Sequence, residues 1–269
     1  FCPATPAELN ALLGSEILRK GSWLVKPRSR LPVHRSRAAF RDQKAVLPNS
    51  REHLRQICMA NFLECGSFPL VQEFVTGHSA KKIIVNVFMD RNGKLLRATS
   101  DLKIRSYPLQ FGAGSSFETC YEPLPIELAA RFYESVGFFG AGNAEFIFDE
   151  ADGRYKFNEV NPRFNPGIIL QKACGFNSPW LFYRHALGET TKPYFAFLEG
   201  LRSVSRGDFA SIWTNRSDGG LMEPLADMLR NIGRVRNFEC LSLSDPLPLA
   251  AFLICGVRGG ILPQHLNHA

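Results

Sequence analysis

The pattern of apolar and polar positions alternates between helical and strand-like segments over the first 190 residues of the chain. A helix is predicted at TPAELNALLG, because Thr5 and Glu8 form a capping-box pattern and Pro6 occupies the first helical position. In the other predicted helices, apolar residues recur at helical spacing and a glycine marks the end. These helices span about residues 51–66, 125–137 and 178–188.

Strand-like segments separate these helices. The turn Asp90-Arg91-Asn92-Gly93 lies between KKIIVNVFMD and KLLRATSDLKIRSYP, and Asn-Gly between two such runs is a strong hairpin signal. A second hairpin is predicted in NAEFIFDEADGRYKFNEVNPRF, whose strands are joined by an acidic turn. Shorter strands are predicted at WLVKP, KAVLP and LVQEFV. We therefore expect a largely antiparallel sheet that is covered by helices.

The second strand of the later hairpin carries polar residues in an otherwise apolar segment. In an extended chain Tyr155, Phe157, Glu159 and Asn161 project from one face. Polar groups in such a segment are tolerated where they face water or bind a ligand. Two aromatic rings and two oxygen donors are therefore expected to share one surface.

The predicted pairing of this hairpin brings two carboxylates together. If Ile147 pairs with Phe157, Glu145 lies opposite Glu159. Facing like charges are unfavourable, and burying them raises one pKa or demands a cation. With the amide oxygen of Asn161 they form an all-oxygen donor set, which suits Mg²⁺ or Mn²⁺ rather than zinc. The alternative is a solvent-facing hairpin whose acidic residues only aid solubility.

These residues resemble the metal-binding hairpin of the ATP-grasp superfamily, whose members carry a Glu on one strand and a Glu-x-Asn-x-Arg pattern on the next. The resemblance implies an α+β fold, in which two α/β subdomains with largely antiparallel sheets clasp a nucleotide. It implies that Glu145, Glu159 and Asn161 bind the Mg²⁺ ions that bridge the ATP phosphates. Arg163 would contact the substrate carboxylate or the transferred phosphate.

The resemblance extends upstream, in the family's order of elements, and covers about residues 1–190. WLVKP is similar to the strand whose lysine reaches the nucleotide phosphates. VQEFVTG is similar to the hinge whose backbone binds the adenine edge, and LKIRSYP lies where related ligases carry cations that face the phosphate chain. The implied residues are Lys26 for the phosphates, Gln72, Glu73 and Val75 for adenine, and Lys103 and Arg105 for the phosphate chain.

The same resemblance divides the chain into three parts: a lid subdomain at 1–70, a core subdomain with the metal site at 71–190, and a C-terminal extension of unclear role at 191–269. In the extension the pattern weakens, although EPLADMLRNIGRV predicts a helix. Family members normally begin with a further N-terminal domain, and this chain starts at Phe1. We therefore expect it to be a fragment of a longer protein.

Two departures from the family pattern concern the nucleotide. Where relatives carry a glycine-rich flap after the lysine strand, residues 27–44 contain five arginines and no glycine. Side chains could replace the backbone donors of the flap, or the flap no longer closes properly. Where relatives often carry a glutamate for the ribose hydroxyls, this chain has His78.

Charge and composition limit the classes of partner and the location that we expect for this chain. A net charge of +7 favours anionic partners, and the arginine-rich segment fits either a phosphate-binding strip or a solvated loop. The longest apolar run, LPLAAFLICGV, is well short of the roughly 20 residues of a membrane span. The seven cysteines form no C-x-x-C pair, which predicts free thiols and a cytoplasmic location.

The resemblance implies an ATP-dependent ligase that joins a small-molecule carboxylate to an amine through an acyl phosphate. ATP and Mg²⁺ or Mn²⁺ would be its cofactors, and no nucleic acid or membrane partner is expected. A different reading is a nucleotide-binding module with weak or no catalysis, which the glycine-free flap favours. A third is a nucleic-acid-binding protein that uses the arginines. The sequence contains neither a Walker lysine loop nor a G-x-G-x-x-G fingerprint.

Overall fold

The computed structural model describes residues 1–19, 22–29, 31, 34–41, 43–75, 81–107, 111–205, 207–214, 222–238 and 245–247. The chain divides into two compact units. The first unit comprises residues 1–80 with 149–152, and the second comprises 81–148 with 153–269. The predicted three-part division at residues 70 and 190 stays a prediction.

The first unit contains three α-helices and two strands among its described residues. In chain order they are α1 (Pro6–Gly14), β1 (Trp23–Lys26), α2 (Arg37–Phe40), α3 (Arg51–Cys65) and β2 (Leu70–Glu73), with a 3₁₀ turn at Ile17–Arg19. Strands β1 and β2 are antiparallel. The strand predicted at KAVLP is wrong, because only Val46 forms a single bridge, to Val25.

Local capping explains the two longer helices of this unit. The Thr5 hydroxyl accepts a hydrogen bond from the Glu8 amide at 3.2 Å, as the capping box predicts. Ser50 caps α3 through the amide of His53. Gly66 ends α3 with a φ of 66°, a left-handed conformation that glycine adopts without strain.

The second unit is built on a seven-stranded sheet in the order β7-β6-β3-β4-β5-β8-β9. The pairs β6–β3, β3–β4, β4–β5 and β5–β8 are antiparallel, whereas β8 and β9 are parallel, so the prediction of a largely antiparallel sheet is confirmed. The strands are β3 (Lys82–Met89), β4 (Leu95–Tyr107), β5 (Ala113–Thr119), β6 (Gly140–Asp149), β7 (Arg154–Asn161), β8 (Arg202–Val204) and β9 (Val235–Phe238).

Five α-helices accompany this sheet in the described part of the second unit. They are α4 (Pro123–Ser135), α5 (Ile168–Ala173), α6 (Ser178–Ala186), α7 (Gly207–Thr214) and α8 (Met222–Arg230), and a 3₁₀ turn follows at Ile232–Arg234. The predicted helices at α4 and α6 are confirmed, and α8 overlaps the helix predicted from EPLADMLRNIGRV. The sequence did not predict α5, α7, β5, β8 or β9.

The two faces of this sheet differ in chemistry. On one face Ile83, Val85 and Val87 are buried against Ala129 and Tyr133 of α4, and we call this the α4 face. Side chains alternate along a strand, so the residues between these positions project from the opposite face. That face, which we call the polar face, carries Asn86, Thr99, Asp101, Asn143 and Glu145.

The apolar character of the helices and the state of the cysteines were also predicted from the sequence. Within the described ranges, no helix combines the length and apolar character that crossing a membrane requires. The prediction of free thiols is confirmed for the five cysteines that the structure describes, Cys2, Cys58, Cys65, Cys120 and Cys174. Cys240 and Cys255 lie outside the described residues.

Candidate active site

Strand β7 turns its aromatic residues towards the α4 face. The ring of Phe157 lies 5.3 Å from that of Phe146 and 5.2 Å from that of Phe132 on α4, measured between centroids. Tyr155 packs against Phe148 at 5.1 Å. Tyr155 is partly buried against the α4 core, whereas Phe157 stays 43% exposed at its edge.

The polar end of β7 lies on the other face. The amide nitrogen of Asn161 donates to Oδ1 of Asn143, a residue of the polar face, at 3.2 Å. The prediction that Tyr155, Phe157, Glu159 and Asn161 share one surface is therefore wrong, because the strand alternation is interrupted between Phe157 and Asn161. The predicted pairing of Ile147 with Phe157, which would set Glu145 opposite Glu159, stays a prediction, and the contact between Asn161 and Asn143 is compatible with it.

Three of the predicted hairpin residues form a hydrogen-bonded row. Asn161 Nδ2 donates to Oε1 of Glu159 at 3.1 Å, and Nη2 of Arg163 donates to Oδ1 of Asn161 at 3.3 Å. The Asn161 amide is therefore fixed in orientation, with its nitrogen towards the acid and its oxygen towards the guanidinium. A carboxylate, an amide oxygen and a cation meet at the end of β7.

Glu145 lies on the polar face of the neighbouring strand β6. Its Oε2 is 3.7 Å from Nζ of Lys103, which belongs to β4. Asn143, two residues earlier on the same face of β6, contacts Asn161 of the row on β7. Of the residues predicted for metal binding, Glu159 and Asn161 are thus in direct contact, and Glu145 lies on the neighbouring strand, two residues beyond Asn143.

The chemistry of these donors fits a hard divalent cation. Glu145, Glu159, Asn143 and Asn161 offer carboxylate and amide oxygens, which Mg²⁺ and Mn²⁺ prefer. No group of three or more histidine, cysteine, aspartate or glutamate side chains in the described ranges is arranged to hold a metal. The candidate set contains only two carboxylates, so amides would have to complete it.

The sequence reasoning missed a buried amide network beneath this site. Asn86 Nδ2 donates to Asp101 Oδ2 at 2.8 Å, and Asn86 Oδ1 accepts from Asn165 at 2.5 Å. Asn165 in turn accepts from Gln171 at 2.9 Å. The network ties the loop after Arg163 to the central strands. Its signal was available, because Asn86 is the one polar residue in the run IIVNVFM.

Asp101 is the buried ionisable group of this network. Asp101 is only 4% exposed. This burial raises the pKa of its carboxyl group to about 7, although the hydrogen bond from Asn86 opposes the rise. No partner for its Oδ1 exists among the described residues. Burial also raises the pKa values of Cys120 and Cys174 to about 12, so both thiols stay protonated and unreactive at neutral pH.

Arg105 is engaged in a salt-bridge cluster. It donates to both carboxylate oxygens of Asp208, at 2.8 and 2.7 Å, and to Asp227 at 2.8 Å. Burial alone would raise the pKa of Asp227, but hydrogen bonds from Arg202 and Arg105 lower it. These partners give Arg105 a structural role, and its predicted contact with the phosphates stays a prediction that this pairing argues against.

The candidates of the first unit lie on or after its small sheet. Leu24 pairs with Gln72 and Val25 with Val71, so Lys26 and Gln72 project from the same face, opposite buried Val25. Glu73 pairs with Trp23 on the other face. Val75 lies beyond the end of β2, and His78 lies outside the described residues. The nucleotide-binding roles of these residues stay predictions.

Two arginines of the predicted flap donate to backbone carbonyl groups. Arg28 donates to the carbonyl oxygens of Phe68 and Pro3, at 2.7 and 2.8 Å. Arg35 donates to the carbonyls of Arg41 and Gln43. These guanidinium groups hold the segment in place, and they are not arranged as a free strip of phosphate-binding side chains.

No protein-family model and no curated protein sequence matches the chain. Solved structures do match. A biotin carboxylase from Campylobacter jejuni in complex with β,γ-ATP is 14% identical, with a TM-score of 0.56, and the match covers 73% of this chain and 44% of that one. N5-carboxyaminoimidazole synthetase from Staphylococcus aureus, complexed with ADP, is 12% identical, with a TM-score of 0.52 and coverage of 75% and 49%.

A third match is the biotin carboxylase domain of the Hydrogenobacter thermophilus 2-oxoglutarate carboxylase, in complex with MgADP, ADP and bicarbonate. It is 17% identical, with a TM-score of 0.52 and coverage of 73% of this chain and 42% of that one. The chain thus spans less than half the length of these structures. At identities this low the matches show a similar fold and nothing about function, and all three proteins share that fold. This chain therefore has the ATP-grasp fold, as its hairpin and upstream motifs predicted.

Proposed function

We propose that this chain binds ATP with Mg²⁺ and ligates a carboxylate to an amine through an acyl-phosphate intermediate. The observation that carries the proposal is the row of Glu159, Asn161 and Arg163, with Glu145 beside it, on the polar face of an ATP-grasp sheet. Solved structures of the same fold are complexes with ATP-like nucleotides, ADP or MgADP.

Each group has a defined task in this reaction. In the first step a substrate carboxylate oxygen attacks the γ-phosphorus, an O–P bond forms, and ADP leaves with the electrons of the broken P–O bond. In the second step an amine nitrogen attacks the acyl carbon, phosphate leaves, and the nitrogen loses a proton. Such transfers depend mainly on positioning and charge neutralisation.

The site residues are assigned to their ligands by charge and donor type. Glu145, Glu159 and Asn161 would hold Mg²⁺, which would neutralise charge on the phosphates when bound. Arg163 would hold the substrate carboxylate or the transferred phosphate, because a guanidinium matches both groups with two hydrogen bonds. The remaining predicted contacts are Lys26, Lys103 and Arg105 for the phosphates and Gln72, Glu73 and Val75 for adenine.

A second candidate function is a nucleotide-binding module without turnover. The backbone contacts of Arg28 and Arg35 favour it, because these side chains do not replace the missing glycine-rich flap as phosphate donors. Such a module would still bind Mg-ATP on the polar face. Only the consumption of ATP separates the two functions.

Binding and turnover are therefore tested separately. Calorimetry with a non-hydrolysable ATP analogue should show binding that depends on Mg²⁺, and ADP release is then assayed with panels of carboxylates and amines. Glu159→Gln should lose Mg²⁺-dependent binding and turnover, whereas Glu134→Gln, at an exposed position of α4, should lose neither. Binding without ADP release would identify the module, and retained turnover in Glu159→Gln at saturating Mg²⁺ would refute the assigned metal site.

A further inference from the structure

Lys103 reaches Glu145 across an intervening strand. Ile84 of β3 pairs with Glu145 on one side and with Asp101 on the other. Lys103 follows Asp101 by two residues and projects from the same face, so its side chain extends over β3 towards β6. The ammonium group comes to rest 3.7 Å from the Glu145 carboxylate, and the Lys103 side chain is only 10% exposed.

This contact is an ion pair without a hydrogen bond. A separation of 3.7 Å exceeds the roughly 2.7–3.2 Å of an N–H···O hydrogen bond. Among the described residues, Glu145 is the one carboxylate within ion-pair distance of Lys103. Each group neutralises the other in a largely buried place, where an uncompensated charge is costly. A cation that replaces Lys103 would keep Glu145 neutralised.

Glu145 is also one of the oxygen donors of the candidate metal centre. Lys103 and a bound divalent cation would therefore interact with the same carboxylate. We propose that Lys103 and a divalent cation compete for Glu145, and that displaced Lys103 turns to the phosphate groups of the nucleotide. The inference rests on the proposed function and goes beyond it by making Lys103 a coupling residue. Metal alone displaces Lys103 without giving it a new anion, whereas metal with a nucleoside triphosphate supplies both. The two ligands should therefore bind cooperatively.

The test separates metal binding from nucleotide binding. Mn²⁺ is titrated into the full chain and followed by electron paramagnetic resonance, first alone and then with a non-hydrolysable ATP analogue. Lys103→Met keeps the length of the side chain and removes its charge. Lys172→Met, at an exposed position of α5, is the control for the loss of one positive charge. Circular dichroism and thermal melting confirm that each variant is folded, and Lys103→Gln serves as a second variant.

Lys103→Met is expected to change the two affinities in opposite directions. Its affinity for Mn²⁺ alone should rise by roughly two- to fivefold, the scale of one ion pair. Its affinity for the nucleotide should fall, and the tightening of Mn²⁺ binding by nucleotide should shrink by a similar factor, since the coupling is reciprocal. Lys172→Met should match the wild type in both titrations.

Unchanged or weaker binding of Mn²⁺ alone by Lys103→Met overturns the inference, and so does the absence of detectable Mn²⁺ binding in both proteins. The proposed function fails in a different way. If the wild type binds Mn²⁺ but no nucleotide, the ligase proposal is refuted, while the comparison with Mn²⁺ alone still decides whether Lys103 competes for Glu145.

Discussion

The buried carboxyl group of Asp101 should make the second unit less stable as the pH rises. In the folded chain burial raises its pKa from 3.8 to about 7. Each pKa unit corresponds to about 1.4 kcal/mol, so ionised Asp101 costs the folded state on the order of 4 kcal/mol above pH 7. The folded state binds the proton of Asp101 more tightly than the unfolded state does. The stabilising contribution of this carboxyl group is therefore fully present below pH 3.8 and is lost as the pH rises through 7.

Replacing this carboxyl group by an amide isolates the effect. Asp101→Asn keeps an oxygen that can accept from Asn86, and it cannot ionise. The new amide nitrogen costs a fixed amount wherever it lacks an acceptor, so the pH dependence is the informative quantity. Between pH 5 and pH 8 the stability of the variant relative to the wild type should rise by about 2 to 3 kcal/mol, from integration of the two titration curves.

Urea denaturation at pH 5, 6, 7 and 8 measures this difference. In a Trp23→Phe background the fluorescence of Trp180 and Trp213 reports on the second unit, because Trp23 belongs to the first. Glu134→Gln controls for the loss of one exposed carboxylate. A constant difference between Asp101→Asn and the wild type across this range would refute the argument, since it would mean that Asp101 is ionised throughout or not desolvated.

Two further substitutions test the packing around the site. Arg105→Met should lower the free energy of unfolding by about 3–5 kcal/mol, because it leaves the buried carboxylate of Asp208 without its partner, and a second change of Asp208 to Asn should recover part of the loss in the same urea titration. Gly142→Ala should lower the melting temperature, because its Cβ would lie 2.5 Å from the hydroxyl oxygen of Tyr133, whereas Gly14→Ala meets no atom within 4 Å and should leave the melting temperature unchanged or higher.

Local sequence signals predicted the elements whose ends are decided locally. Helices α1 and α3 lie where capping residues and a terminal glycine placed them, and the β3–β4 hairpin forms around its Asn-Gly turn. The β6–β7 hairpin was predicted from the acidic, glycine-containing turn between its strands. At its polar end Glu159, Asn161 and Arg163 are in contact, and their roles stay predictions.

Long-range partners could not be predicted in this way. Arg105 binds Asp208 and Asp227, which are 103 and 122 residues further along the chain, so no local pattern distinguishes it from a free cation that faces phosphates. Strand β8 has only three residues, Arg202–Val204, and a segment that short has no period to read. The partners of Asn86 are likewise distant, although its isolated polarity in an apolar strand marked it as a residue that needs one.

The change of face within β7 explains how one short strand serves both the core and the site. With strict alternation Phe157, Glu159 and Asn161 would all project from the face that packs against α4, and the amide of Asn161 could not reach Asn143 on the polar face. The interruption between Phe157 and Asn161 removes the conflict, since the rings pack against Phe146 and Phe132 while the amide of Asn161 reaches Asn143. Ring contacts therefore hold the first half of the strand against Phe146, Phe148 and Phe132, and the second half carries the oxygen donors of the candidate site.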